Sequence, residues 1–203
     1  QVLFGILKAL GYEWADQLAH MAYGMVKLPS GKMKSREGIV VDADDLCAEM
    51  SQLAREATLE RAGPNAPEDL AERADVIGMA ALKFMLLRVN PKSTIMFDPN
   101  AAIKFEGDTG PYVLYAYARI SSMLRKADDE ALAGPVDWSV LGADEEKELA
   151  LRCSQYGQAT RKAAADLDTS ALAGYLLDLA KAFSRFYRAC PVLAAPSEAE
   201  RRA

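Results

Sequence analysis

The chain has 203 residues, of which 51% are hydrophobic and 26% charged, and its formal net charge is −5. That length can bury one sizeable core or two small ones. An acidic chain is not expected to bind nucleic acid broadly, and no apolar run approaches the roughly 18 residues of a membrane span. Its three cysteines are widely spaced and it has one histidine, so a structural zinc site is not expected. We expect a cytoplasmic protein with reduced thiols, no membrane segment and no metal ligands.

The first 41 residues predict a mixed α/β segment. Residues 1–10 have the pattern of an amphipathic helix that ends at Gly11. Two strand-like runs, 18–26 and 38–41, follow it and bracket a basic loop. Because the chain starts without Met and within a structured element, we expect it to be a fragment or a processed piece of a longer protein.

From Asp42 onward the pattern is helical. Long helices are predicted over four segments, at about 44–61, 67–90, 144–165 and 169–190, the last capped by Thr169. Residues 92–108 are predicted to form an irregular connector that ends in a Gly-rich turn, and the tail from Ala194 is expected to fray. The predicted domains are 1–104 and 105–203.

The helix after the connector presents two different stripes of side chains. Thr109 can cap its first turn, which also tolerates Pro111. We expect the apolar stripe to be the core face; it comprises Val113, Tyr117, Ile120 and Leu124. The second stripe carries rings, hydroxyls and cations, namely Tyr112, Tyr115, Arg119, Ser122 and Lys126. Such a surface can stack bases and pair with phosphates, although covering the edge of a core is the commoner role.

The basic loop lies between Gly31 and Gly38 and is rich in hydrogen-bond donors. Cations on a mobile loop can stabilise the charge that develops on a leaving pyrophosphate. The spacing does not fit a P-loop, because six residues separate Gly24 from Gly31 and Met33 follows Lys32. From the residues alone, a solvated basic turn remains the alternative.

Three segments resemble arginyl-tRNA synthetases. Residues 105–119, F-E-G-D-T-G-P-Y-V-L-Y-A-Y-A-R, resemble the start of that family's helical anticodon-binding domain. Residues 20–26 and 31–41 are similar to the family's form of the class I signature loop, K-M-S-K-S. Residues 183–193, F-S-R-F-Y-R-A-C-P-V-L, are similar to a late helical region of the same domain. The three segments occur in family order and extend the resemblance over nearly the whole chain.

The resemblance implies a mainly α fold, with a remnant of an α/β nucleotide-binding fold at the N-terminus followed by a helical-bundle anticodon-binding domain. It implies that Lys34 and Arg36 are the catalytic, phosphate-facing charges, although Ser35 stands where a second lysine is usual. The implied ATP-binding residues are Lys32, Met33, Lys34, Ser35 and Arg36. The implied tRNA-binding residues are Tyr112, Tyr115, Arg119, Phe186 and Tyr187. Leu114 departs from the family, which often has glutamine there.

The implied function is that of a fragment of arginine–tRNA ligase, whose parent uses ATP with Mg²⁺, arginine and tRNA. We find no H-I-G-H-like sequence, so this chain alone is not expected to aminoacylate. A monomer with no DNA or membrane partner is expected. The alternative is a noncatalytic helical module, derived from a synthetase, that binds RNA or protein. Another class I synthetase, such as the cysteine enzyme, is disfavoured by the missing zinc ligands.

Overall fold

The computed structural model describes residues 2–29, 42–127 and 135–202 of the chain. The α-helices are α1 (Val2–Ala9), α2 (Ala43–Ala62), α3 (Leu70–Leu87), α4 (Pro99–Ala102), α5 (Gly110–Lys126), α6 (Asp144–Ser154), α7 (Tyr156–Asp166), α8 (Thr169–Ala189) and α9 (Glu198–Arg202). The strands are β1 (Val26–Lys27) and β2 (Ile95–Met96), and 3₁₀ turns span Glu13–Gln17, Trp138–Val140 and Val192–Ala194. The prediction of a mainly α fold with a small α/β remnant is confirmed.

The two strands pair in parallel, with Val26 opposite Ile95 and Lys27 opposite Met96. The backbone before β1 approaches the 91–94 turn so closely that a Cβ at Gly24 would lie 2.0 Å from the Ser93 carbonyl oxygen. The prediction of a strand over 18–26 was too long, and that of an irregular 92–108 connector missed β2 and α4. A two-residue strand is too short to show a period-2 pattern, and its pairing partner lies far along the chain. The strand-like run 38–41 lies outside the described residues.

Helices α2 and α3 form an antiparallel hairpin around a tightly packed core. Met50, Ala54, Ala81 and Phe97 have no exposed surface. A Cβ added at Gly78 would lie 2.6 Å from the carbonyl oxygen of Met50, so the two helix backbones touch there. Both helices form as predicted, within a few residues at each end.

The start of α5 is fixed on α3. As predicted, Thr109 caps the helix: its Oγ1 accepts a hydrogen bond from the Tyr112 amide at 3.3 Å. The same hydroxyl donates to the Lys104 carbonyl at 2.6 Å. A Cβ added at Gly110 would lie 2.3 Å from the Ala80 carbonyl oxygen, so only glycine allows this close approach. The direction of α5 is therefore set by α3.

The predicted core face of α5 is wrong except at Val113, which is partly buried and packs against the cluster around Ala116. Tyr117 is 69% exposed and Leu124 is 54% exposed. The buried side of the helix is centred on Ala116, which clusters with Ala180 and Phe183 of α8. Small residues let the two helix axes approach closely, so α8 packs over Ala116 and leaves Tyr117, Ile120 and Leu124 exposed.

Three predictions for the C-terminal helices differ from the structure. The helix predicted over 144–165 is two helices, α6 and α7, which meet at Gln155. Asp168, not Thr169, caps α8 and accepts a hydrogen bond from the Ser170 amide at 2.9 Å. Aspartate is a favoured N-cap residue because its short side chain places a carboxylate oxygen within reach of the backbone amide two positions later. The tail is not frayed throughout, because α9 forms within it.

A polar junction connects the end of α3 to the start of α8. The Asn90 amide donates to the Asp168 carboxylate at 2.8 Å, and the Thr169 hydroxyl donates to the Leu87 carbonyl at 3.2 Å. The hairpin and the C-terminal helices are thus joined through side chains as well as through α5. Within the described part of the chain, none of the helices is long and apolar enough to cross a membrane.

Candidate nucleic-acid interface

A cleft of about 450 Å³ lies between one face of α5 and one face of α8, and we call it the basic cleft. Residues three or four positions apart lie on one face of a helix, which explains how each helix contributes its set. The lining residues are Tyr112, Tyr115 and Arg119 of α5, Lys181, Ser184, Arg185 and Arg188 of α8, and Arg61, Phe105 and Glu106 at the edge. Five cations and one carboxylate therefore line the cleft, although the whole chain is acidic.

Arg119 is held by two tyrosine rings at the centre of this surface. Its guanidinium carbon lies 4.5 Å from the ring centroid of Tyr115 and 4.5 Å from that of Tyr187. One guanidinium nitrogen also donates a hydrogen bond to the Tyr115 hydroxyl at 2.5 Å. These contacts fix the plane of the guanidinium and leave other N–H groups along its edge for a ligand.

Arg61, in the last turn of α2, is oriented in the same manner. Its guanidinium carbon lies 4.4 Å from the centroid of the Phe105 ring. Phe105 precedes the turn that leads into α5, so this contact joins the α2–α3 hairpin to the start of the bundle. Stacking of this kind favours one guanidinium orientation without neutralising its charge.

Two of the five cations are paired with carboxylates. Lys181 binds Asp108 at 2.7 Å, and Arg185 binds Glu148 through two contacts of 2.5 and 3.2 Å. The hydrogen bond from Lys181 lowers the pKa of the Asp108 carboxyl below its ordinary value. The Asp108 carbonyl also accepts a hydrogen bond from Arg88 of the hairpin. The turn before α5 is thereby tied to both α3 and α8.

A smaller cleft of about 360 Å³ adjoins the Tyr115–Arg119–Tyr187 group, and we call it the narrow cleft. Ser122 and Lys126 supply polar groups to it, and Met123 and Leu193 supply apolar surface. The stripe of rings, hydroxyls and cations predicted on α5 therefore lies along the two clefts. The Tyr112 end of the stripe lines the basic cleft, and the Lys126 end lines the narrow cleft.

Two of the sequence-predicted aromatic residues have packing roles. Tyr112 lines the basic cleft, donates a hydrogen bond to Ser184 at 3.1 Å, and packs against the Ala116 cluster. Phe186 packs against the same cluster and lines a separate apolar groove of about 660 Å³. The structure thus brings Tyr112, Tyr115, Arg119 and Tyr187 together and leaves Phe186 outside both clefts.

Sequence reasoning missed Arg61 and Phe105. A basic residue in the last turn of a helix usually interacts with the helix dipole, so Arg61 gave no signal of a second role. Phe105 belongs to the motif used for the resemblance, but nothing in the sequence indicates that it meets a residue 44 positions earlier.

The other predicted site lies outside the described residues. It comprises Lys32, Met33, Lys34, Ser35 and Arg36. In the part that the structure describes, no group of three or more His, Cys, Asp or Glu side chains is arranged to hold a metal ion. The three cysteines are free thiols.

Two family models match the chain. Residues 1–98 match "tRNA synthetases class I (R), catalytic domain", and residues 113–203 match "DALR anticodon binding domain". The chain is 46% identical over 198 residues to an arginine–tRNA ligase of Treponema denticola, covering 95% of this chain and 34% of that protein. It is 44% identical over 195 residues to an arginine–tRNA ligase of Flavobacterium psychrophilum, covering 95% of this chain and 32% of that protein.

The solved structure of Thermus thermophilus arginyl-tRNA synthetase has a similar fold. It superposes with a TM-score of 0.87 at 34% identity, covering 99% of this chain and 34% of that one. The chain thus spans about a third of the length of the relatives it matches. The chain contains part of a class I catalytic domain followed by part of a DALR domain, and it belongs to the arginyl-tRNA synthetase family.

Proposed function

We propose that this chain is the C-terminal part of an arginine–tRNA ligase. The whole enzyme activates arginine with ATP, as its Mg²⁺ complex, and transfers the arginine to its tRNA through an adenylate. The observation that carries this proposal is the identity of 46% to an arginine–tRNA ligase over 95% of the chain. The predicted boundary between residues 104 and 105 divides the two roles: phosphate contact before it and anticodon binding after it.

In this proposal the loop between Gly31 and Gly38 acts on the ATP phosphates. Lys34 and Arg36 stabilise the negative charge that builds on the departing pyrophosphate, and Ser35 supports them through a hydrogen bond. Lys32 and Met33 complete the ATP contact. Amino-acid activation also needs a site for adenine and arginine, so this chain does not aminoacylate by itself.

The helical bundle binds the anticodon stem and loop of the tRNA. Unpaired loop bases can be stacked on rings and hydrogen-bonded at their edges, and phosphates pair with arginine. Tyr115, Arg119 and Tyr187 support this role because they lie together beside two clefts. Tyr112 contributes to the same surface because it lines the basic cleft, and Phe186 packs behind it. The parent is proposed to act as a cytoplasmic monomer.

Binding of this chain to an arginine tRNA transcript tests the anticodon role. The same transcript with a changed anticodon is the control, and each is measured at two salt concentrations. Tighter binding of the native anticodon that persists in added salt supports base recognition by the bundle. Equal affinity for the two transcripts contradicts it, because phosphate contacts alone carry no sequence information.

The signature loop is tested in the full-length parent. Replacing both Lys34 and Arg36 by alanine is expected to lower the rate of aminoacylation by at least about a hundredfold while tRNA affinity changes little. The reason is that these charges act on the transition state of adenylate formation. Equal losses of rate and affinity, or no loss, would contradict the assignment. The noncatalytic alternative predicts that there is no aminoacylation rate to lower, and no comparison favours it.

A further inference from the structure

We infer that the basic cleft is a binding site for an RNA phosphodiester group, formed jointly by Arg61 of α2 and by Arg119 and Arg188 of the bundle. This inference rests on the proposed function and specifies which part of the tRNA the cleft holds. It assigns Arg61, which belongs to the segment matched by the catalytic-domain family, to RNA binding.

Unbalanced charge is the first argument. Lys181 and Arg185 are paired with Asp108 and Glu148, whereas Arg61, Arg119 and Arg188 have no carboxylate partner among the residues that the structure describes. Three like charges around one concave space repel one another, and the repulsion is relieved when an anion enters. Glu106 is the one carboxylate in the lining that could offset them.

The orientation of the guanidinium groups is the second argument. Arg61 lies over Phe105, and Arg119 lies over Tyr115 and Tyr187. Because one ring already lies against Arg61 and two lie against Arg119, a base has less room to stack on these groups, while N–H edges remain available. A planar fork of N–H donors matches the oxygens of a phosphate, so the arrangement favours the RNA backbone over a base.

The neighbouring polar groups are the third argument. Tyr112 donates its hydroxyl proton to Ser184 at 3.1 Å, and both residues line the cleft. The Ser184 hydroxyl keeps its own proton and can donate it to a phosphate or ribose oxygen without reading sequence. The narrow cleft beside the Tyr115–Arg119–Tyr187 group lacks such a concentration of cations, since Arg119 and Lys126 are the cations that line it. The phosphate preference is therefore specific to the basic cleft.

The test uses the 203-residue chain and the anticodon stem-loop of an arginine tRNA. Arg61→Gln and Arg188→Gln are each expected to weaken binding about tenfold. They should also reduce the slope of log affinity against log salt by about 0.7, the value for one lost contact to single-stranded RNA. Arg119→Gln is avoided because it would also disrupt the tyrosine contacts. Among the described residues no ring stacks on Arg188, so its replacement tests the charge without the loss of a ring contact that accompanies Arg61→Gln.

Arg55→Gln is the matched control. Arg55 lies on α2 with Arg61, is exposed, and does not line the cleft. Its replacement removes the same charge from the same helix, so binding and salt slope should change little. A control loss equal to that of Arg61→Gln would overturn the inference, because the effect would then come from net charge alone.

Neutral methylphosphonate groups locate the contact on the RNA. They are placed one at a time through the anticodon loop of the probe. A methylphosphonate at one or two of these positions should weaken binding to the unaltered chain. The same replacement should have no additional effect on the Arg61→Gln variant, because that variant has already lost the contact. Additive losses at every position would overturn the inference. Failure of the unaltered chain to bind the stem-loop would overturn the proposed function as well. If the chain binds but the effects of the methylphosphonates and of Arg61→Gln simply add, only the phosphate assignment is overturned.

Discussion

The α2–α3 hairpin and the α5–α8 pair use helix packing in opposite ways. In the core of the hairpin, Met50 of α2 and Phe97, which follows β2, have no exposed surface, and the helix backbones touch at Gly78. In the α5–α8 pair, the buried contact is made by Ala116, Ala180 and Phe183, and clefts lined by rings and cations lie beside it. The hairpin supplies rigidity, and the bundle keeps polar side chains available for a ligand.

The largest expected effect is the loss of the hairpin core. Phe97→Ala should lower the free energy of unfolding by about 4 kcal/mol, because it leaves a large cavity at a fully buried position. Met96→Ala, at the preceding position and the last residue of β2, is the control, since Met96 is 57% exposed and its replacement should cost under about 1 kcal/mol. Chemical denaturation measures both. Similar losses would contradict the tight packing of Phe97 in the core of the hairpin.

A pair of glycine replacements tests the same contrast at the backbone. Gly78→Ala should destabilise the fold by about 2 kcal/mol, because the added methyl group would meet the Met50 backbone. Gly174→Ala, within α8, has nothing within 4 Å of the new Cβ and should stabilise by about 0.5 kcal/mol through helix propensity. Thermal unfolding of both variants shows whether Gly78→Ala is destabilised and Gly174→Ala is stabilised relative to the parent. A stabilising Gly78→Ala would contradict the close hairpin contact.

On the bundle surface, Tyr115→Ala should weaken binding of an arginine tRNA about tenfold, or about 1.4 kcal/mol, because a ring of the surface is removed and Arg119 loses one of its two stacking partners. The melting temperature should change little, since Tyr115 is 48% exposed. Tyr117→Ala is the control on the same helix: its ring is 69% exposed and lines neither cleft. A large melting shift for Tyr115→Ala with unchanged affinity would assign Tyr115 to packing.

The smallest expected effect concerns the Asp108–Lys181 pair that connects the two regions. Asp108→Asn should destabilise the fold by about 0.5 kcal/mol at neutral pH, because the pair is largely solvent-exposed. The carboxyl pKa is lower in the folded chain, so the ionised form stabilises the fold above about pH 4, and this contribution disappears as the pH falls through the folded value. Denaturation at pH 7 and pH 3 should therefore show a smaller difference between variant and parent at the lower pH. An undiminished difference at pH 3 would contradict the ionic role.

The local elements were largely predictable from the sequence, because their causes are local. Helical periodicity gave α2, α3 and α8, and the Thr109 cap and Gly11 followed from the hydrogen-bonding and conformational preferences of those residues. The candidate RNA surface was also partly predictable, since the spacing of Tyr112, Tyr115 and Arg119 places them on one helix face. The motifs in residues 20–41, 105–119 and 183–193 together indicated the family.

What the sequence could not determine was which face of each helix meets another helix. Helical periodicity predicted the apolar stripe of α5 as its core face. The structure instead packs α8 over Ala116, because small side chains permit the closer approach of the two helices. The two-residue strands and the contact of Arg61 with Phe105 depend on partners far along the chain. Sequence patterns record the preferences of single segments, whereas these contacts arise only when the segments are brought together, so the tertiary structure alone determined the basic cleft.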